Sequence, residues 1–355
     1  MRRLTKIVAV TAVASIALVG CGKNDDDNKS DSKSESICKS ADGDGPKVGL
    51  AYDVGGRGDQ SFNDAAYAGV EKAVEDLDAT CIEGEAATDE AESVREERLR
   101  NMAEQGYSPI IGVGFAYSES VNKVAPDFAD TNFVVIDGFD PDDKPNENVA
   151  YATFAENEGS FLAGAAAALK SEAKHVGFVG GVNNDLIRKF EAGYTAGAKA
   201  VDPKTKVDVT YIEESDVSGF NDPAGAKSAA EGILDKGADI IFHAAGGSGA
   251  GVFDAVAAVD GAWAIGVDSD QYLTADSKVQ KHILTSMLKR VDVATFDAIQ
   301  AAADGKPLSS YVTYDLKANG VGYSTSGGFV DDVSSQIDGY ADQIKSGQIK
   351  VPTAP

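Results

Sequence analysis

The sequence predicts an α/β protein made of two doubly wound parallel-sheet lobes. Three observations carry that expectation. From Lys47 onward, short and nearly continuous apolar runs alternate with helix-period stretches, the pattern of strands covered on both faces by helices. The alternation comes in two successive series. A chain of 355 residues, 43% hydrophobic and 25% charged, is also long enough for two ordinary domains, each with its own core.

In the first series the strand candidates are 48–52, 80–84, 109–113, 133–137 and 149–154; in the second they are 175–180, 207–212, 239–244 and 263–268. Two later runs, 283–287 and 311–316, complete the set. Between them lie amphipathic helices. Ala66, Val70, Ala73, Val74 and Leu77 recur at helical spacing, and 159–170 is an alanine-rich stretch.

The first twenty residues stand apart. Arg2, Arg3 and Lys6 precede an apolar run over 7–19, too short to span a bilayer comfortably but fitting the core of a signal peptide. It ends in Leu18-Val19-Gly20-Cys21, which resembles a bacterial lipobox, so Cys21 is the expected site of lipid attachment. Cleavage there removes three cations and takes the net charge from −25 to −28. Such a field repels polyanions and excludes nucleic-acid binding as a main function. Residues 21–46, rich in Asp, Ser and Lys with no apolar period, are expected to form a disordered tether of roughly 25–30 Å. Two acyl chains would hold it at a membrane. Cys38 and Cys81 remain; in an exported protein an even pair suggests a disulfide, and two free thiols are the alternative.

In doubly wound sheets, ligands sit beyond the carboxyl ends of the strands. Those loops carry aromatics and acids. In "GDQSFNDAAYAG" Phe62 follows the first strand, next to Asp53 and Asp59. Two readings of Phe62 stand. Ser61 with Asp64 matches a capping box, or Asn63 caps and Phe62 staples onto Tyr67; alternatively, Phe62 faces a ligand. Phe115 and Asp137 follow later strands, and Phe190 opens a helix, though with Leu186 and Tyr194 it could be core. The glycine-rich "HAAGGSGAG" lacks the features of a phosphate loop or dinucleotide fingerprint. It is a flexible turn or a backbone N–H surface for close approach. Asp268 ends one further strand and Lys289 comes after another. Aromatic faces with several carboxylates suit a flat heteroaromatic ligand bearing hydroxyls.

At "GDQSFNDAAYAG", "FAENEGSFLAGAAAAL", "KFEAGYTAGAKAV", "HAAGGSGAGVF", "IGVDSDQ" and "LTSMLKRVDVA" the chain resembles the basic membrane protein family, lipoprotein substrate-binding proteins of ABC transporters. The likeness implies the type I periplasmic-binding-protein fold, with two lobes joined by a three-stranded hinge, and nucleosides, purine ones foremost, in the cleft. On that resemblance Phe62 and Phe190 sandwich the base, and Asp53 and Asn63 meet its edges, with Phe115 and Asp137 nearby. Asp268 holds the ribose hydroxyls, Lys289 the sugar oxygens, and Gly246 and Gly247 offer backbone contacts. Lobe one is expected over 46–152 and 284–312, lobe two over 153–283 and 313–350. The expected partners are a permease and an ATPase, the membrane through the lipid, and no second copy.

Two other functions compete: an exported nucleoside-cleaving enzyme, and a ligand sensor without a transporter. Against the enzyme, the acidic run "DPDDKPNEN" lacks the glycine and terminal Glu of a calcium loop. The three histidines, His175, His243 and His282, form no close pair for zinc. No catalytic residue, metal or cofactor is expected.

Overall fold

A computed structural model describes residues 35–355. The expected signal peptide, Cys21 and the tether as far as residue 34 lie outside the described residues. The strands are β1 Lys47–Val54, β2 Thr80–Ala86, β3 Ile110–Val113, β4 Phe133–Ile136, β5 Val149–Phe154 and β6 His175–Val182. They continue with β7 Lys206–Glu213, β8 Ile240–Ala244, β9 Trp263–Asp268, β10 Ile283–Lys289, β11 Ser310–Tyr314 and β12 Val321–Tyr323.

These form two six-stranded sheets, ordered β11-β5-β4-β3-β1-β2 and β12-β10-β9-β8-β6-β7. Every pairing is parallel except that of β12 with β10. The strands read as apolar runs because helices cover both faces: β3, β4, β6 and β8 are buried along their whole length. In each sheet the order reverses beside the first strand, between β1 and β3 and between β6 and β8. Those two switch points are where such a fold opens a crevice.

The chain passes between sheets three times: after β5, after β10 and after β11. Helix Val291–Ala303 returns to the first lobe and packs on helix Phe62–Leu77. That approach is close enough that a Cβ on Gly69 would lie 2.5 Å from the Asp292 carbonyl oxygen. One boundary needs correcting. Strand 283–287 was expected to open the return to lobe one, yet β10 pairs with β9 in the second sheet. The link over 269–282, with its two four-residue helices, returns the chain to the slot beside β9, so the crossing to lobe one starts with the helix that follows β10. β12, three residues long, is below what an apolar period reveals.

The end of the expected tether is ordered as well. Cys38 and Cys81 are joined in a disulfide with Cα atoms 4.8 Å apart. The 3-10 turn Ile37–Lys39 docks beside β2, where Ile37 N donates to the Tyr67 hydroxyl at 2.8 Å. Polar composition alone suggested disorder; the cross-link and this contact fix the segment. Among the described residues no helix is long and apolar enough to cross a membrane.

Candidate functional site

The carboxyl ends of both sheets border one cleft, the place where a doubly wound fold takes its ligand. All ten residues singled out for a ligand line it: Asp53, Phe62, Asn63, Phe115, Asp137, Phe190, Gly246, Gly247, Asp268 and Lys289.

Phe62 is the first residue of helix Phe62–Leu77 and half-buried at the cleft wall. Neither local reading of its helix start holds. The Ser61 side chain makes no cap. Asp59 caps instead: Oδ1 accepts from the N–H groups of Ser61 (2.9 Å) and Asp64 (3.1 Å), and Oδ2 from that of Asn63 (2.8 Å). A carboxylate there also meets the positive end of the helix dipole. Asn63 does not cap either: it is the helix's second residue and its Oδ1 accepts from Asp53 N, so Phe62 does not hold the position before a cap that a staple needs. Phe62 is thereby free of a capping role.

Asn63 Oδ1 accepts from Asp53 N at 2.9 Å and its Nδ2 donates to Asp59 Oδ2 at 3.2 Å. The amide thus braces both acids, and only its second N–H proton is left for a ligand. Asp53 takes the Val54 N–H on Oδ1 at 2.8 Å. Its Oδ2 leans over Gly114, where a Cβ would come within 2.2 Å and where φ is +98°. Glycine is required there on both counts.

Asp137 follows β4 and Asp268 ends β9, both in the left-handed conformation, φ 59° and 64°. Asp tolerates this region better than most residues, and such strain gathers at functional sites. Lys289, at the end of β10 and 2% exposed, places Nζ 2.5 Å from Asp137 Oδ2 and 3.7 Å from Glu156 Oε1. The same Nζ stands 5.1 Å from the Phe62 ring centroid and 5.5 Å from that of Phe190, within cation–π range. Phe190 belongs to the core and also reaches the cleft wall. It is 2% exposed with its ring 6.5 Å from Phe242, and it still borders the cleft.

Burial raises three acids of this cleft. The carboxyls of Asp53 and Asp268 are pushed up to about 6 and that of Asp59 to about 7, in each case because desolvation disfavours the charge. Burial alone would lower Lys289; Asp137, Glu156 and Asp268 outweigh it and hold the ammonium above its ordinary value. Among the described residues no group of three or more His, Cys, Asp or Glu could hold a metal ion.

Phe62 and Phe190 thus stand close to one buried lysine, with acids at the strand ends of both lobes. The family of PnrA-like ABC transporter substrate-binding proteins (Bmp) matches residues 47–354. The chain belongs to that family. It is 32% identical to the ABC transporter nucleoside-binding protein BmpA of Lactococcus lactis, over 99% of this chain and 100% of that one. A protein of Pyrococcus abyssi named as a lipoprotein is 32% identical over 91% of this chain and 77% of its own length. An ABC transporter solute-binding protein of Aeropyrum pernix superimposes with a TM-score of 0.74 at 29% identity, covering 87% of this chain and 93% of the other. The two-lobed architecture is that of the periplasmic-binding proteins, as expected.

The structure brings further residues to the cleft and its border. Phe220 reaches the cleft from the 3-10 turn Val217–Phe220 and meets Phe115 edge-on, centroids 6.4 Å apart. It follows a polar loop, so no apolar period marked it. Glu156 supports Lys289 from the first position of helix Glu156–Lys170. It reads locally as one more acid at a helix start. Ser61 was taken for a cap; its hydroxyl in fact bonds Asp268 across the cleft.

Proposed function

We propose that this substrate-binding protein captures nucleosides, purine nucleosides foremost, and delivers them to a permease and ATPase without chemically altering them. The observation that carries this is the pair of rings, Phe62 and Phe190, 5.1 and 5.5 Å from the Lys289 ammonium in a cleft whose remaining polar groups are mostly carboxylates. The base stacks between the two rings. Asp53 and the free N–H of Asn63 read its edge, and the unpartnered, buried Asp137 Oδ1 is a further acceptor. Asp268 accepts from the ribose hydroxyls, Lys289 donates to the sugar oxygens, and Gly246 and Gly247 offer backbone groups.

The chain works as a monomer tethered through Cys21 on the extracytoplasmic side of the cell membrane. Mass spectrometry of small molecules released by denaturing the purified protein tests the ligand class. A nucleoside in the extract is expected; a sugar or amino acid alone would overturn the assignment. Incubation with nucleosides should release no free base, and turnover would make the protein an enzyme.

A further inference from the structure

Most helix-initiating serines spend their hydroxyl on the helix's own N–H groups. Ser61 does not, because Asp59 already satisfies them. Its hydroxyl, fully buried, crosses to the second lobe and donates to Asp268 Oδ2 at 2.5 Å, with a weaker contact to Val267 O at 3.4 Å. A second hydroxyl crosses the other way: Ser269 Oγ donates to Ser61 O at 3.0 Å. The partners lie more than 200 positions apart in the chain and on different sheets. Both bonds therefore require the lobes to be together.

We propose that Ser61 is a positioning residue that presets Asp268 for the ligand and couples that setting to closure of the lobes. With Oδ2 held by Ser61, the other carboxylate oxygen is left for the ligand in a fixed direction. Because Phe62 is the next residue, the hydrogen bond that orients the acid also fixes the helix start carrying the aromatic face. Asp268 thus reaches its binding geometry only when the ring is in place. The charged groups facing Asp268 are Lys289 from β10 and Asp137 beyond β4, and Lys289 is shared with Glu156. Burial raises the Asp268 carboxyl to about 6, and the Ser61 hydrogen bond counters that rise. Its ligand role rests on the nucleoside reading above; its role in closure does not.

The test uses Ser61→Ala, Ser61→Thr and Ser269→Ala in the full chain, with guanosine as the probe between pH 4.5 and 8. Ser61→Ala should weaken binding about tenfold or more through faster release, the scale of a lost hydrogen bond to a charged group. The pH at which affinity falls should move upward, and Ser61→Thr should restore both. Ser269→Ala should speed release without moving that pH. A Ser61→Ala protein whose pH midpoint stays put, or whose loss is equal at every pH and not rescued by threonine, overturns the proposal. If the wild type binds no nucleoside, the ligand reading falls, and small-angle scattering of the ligand-free protein decides closure. A larger radius for Ser61→Ala supports the latch and an unchanged radius removes it. Should Ser61→Ala fail to fold, the same scattering comparison on Ser269→Ala decides.

Discussion

Lys289 and Asp137 meet across the cleft, one from the second lobe and one from the first, with Nζ 2.5 Å from Oδ2 and both side chains almost wholly buried. The ammonium also lies 3.7 Å from Glu156, so it serves two buried acids at the junction of the lobes, sharing the second with Lys189 at 3.3 Å. Lys289→Ala leaves Asp137 without its cation and Glu156 with Lys189 alone. Breaking a buried pair from one side costs about 3–5 kcal/mol, so the variant should lose several degrees of Tm by calorimetry as well as ligand affinity. Unchanged stability would show that solvent reaches these acids freely.

The two rings should part company on mutation. Base–aromatic stacking is worth roughly 1–3 kcal/mol per base, so Phe62→Ala and Phe190→Ala should each weaken nucleoside binding by about tenfold to a hundredfold. Phe62 is half-buried and its loss should leave Tm nearly unchanged. Phe190 also packs on Phe242, and Phe-to-Ala changes in cores cost about 3–5 kcal/mol, so its variant should melt earlier. If Phe62→Ala lowers Tm and spares binding, the ring is a structural staple after all.

Affinity and stability should respond to pH in opposite directions. Asp53, Asp59 and Asp268 titrate near 6, 7 and 6, above the ordinary aspartate value of about 3.9. Their folded pKa values are raised, so the stability they contribute is complete below about pH 4 and is lost as pH rises through 6 to 7. Acidification from pH 8 to 5 should raise the Tm of the ligand-free protein. Over the same range nucleoside affinity should fall, because Asp53 and Asp268 must be ionised to accept both hydrogen bonds. Melting curves and titrations at matched pH check the two signs together.

Cys21→Ala should release the protein from membranes, since the tether that follows has no apolar segment to hold it. Membrane association of the variant after a high-salt wash would refute lipid anchoring at that residue.

Much of this could be read from the sequence because strands buried on both faces write themselves as apolar runs, and the cleft residues stand directly after those runs. Asp53, Asp137, Asp268 and Lys289 were found by position alone. Other features depend on contacts that no local pattern contains. The switch of capping from Ser61 to Asp59 is invisible because several acids and hydroxyls in "GDQSFND" could do either job. The Ser61–Asp268 bond joins residues far apart in the chain. Phe220 sits in a polar loop, and β10 belongs to the second sheet because of its pairing with β9 rather than because of its composition.

Titration calorimetry on protein stripped of ligand by unfolding and refolding tests the central claim most directly. Guanosine, inosine and adenosine should bind with a single site. Their monophosphates should bind at least about tenfold more weakly, because a buried phosphate would face Asp53, Asp137 and Asp268 with Lys289 already committed to two acids. A 2′-deoxynucleoside should also lose affinity, since Asp268 would keep an unsatisfied acceptor worth about 1–3 kcal/mol. No binding heat with any nucleoside, or monophosphates binding as tightly as nucleosides, would contradict the account.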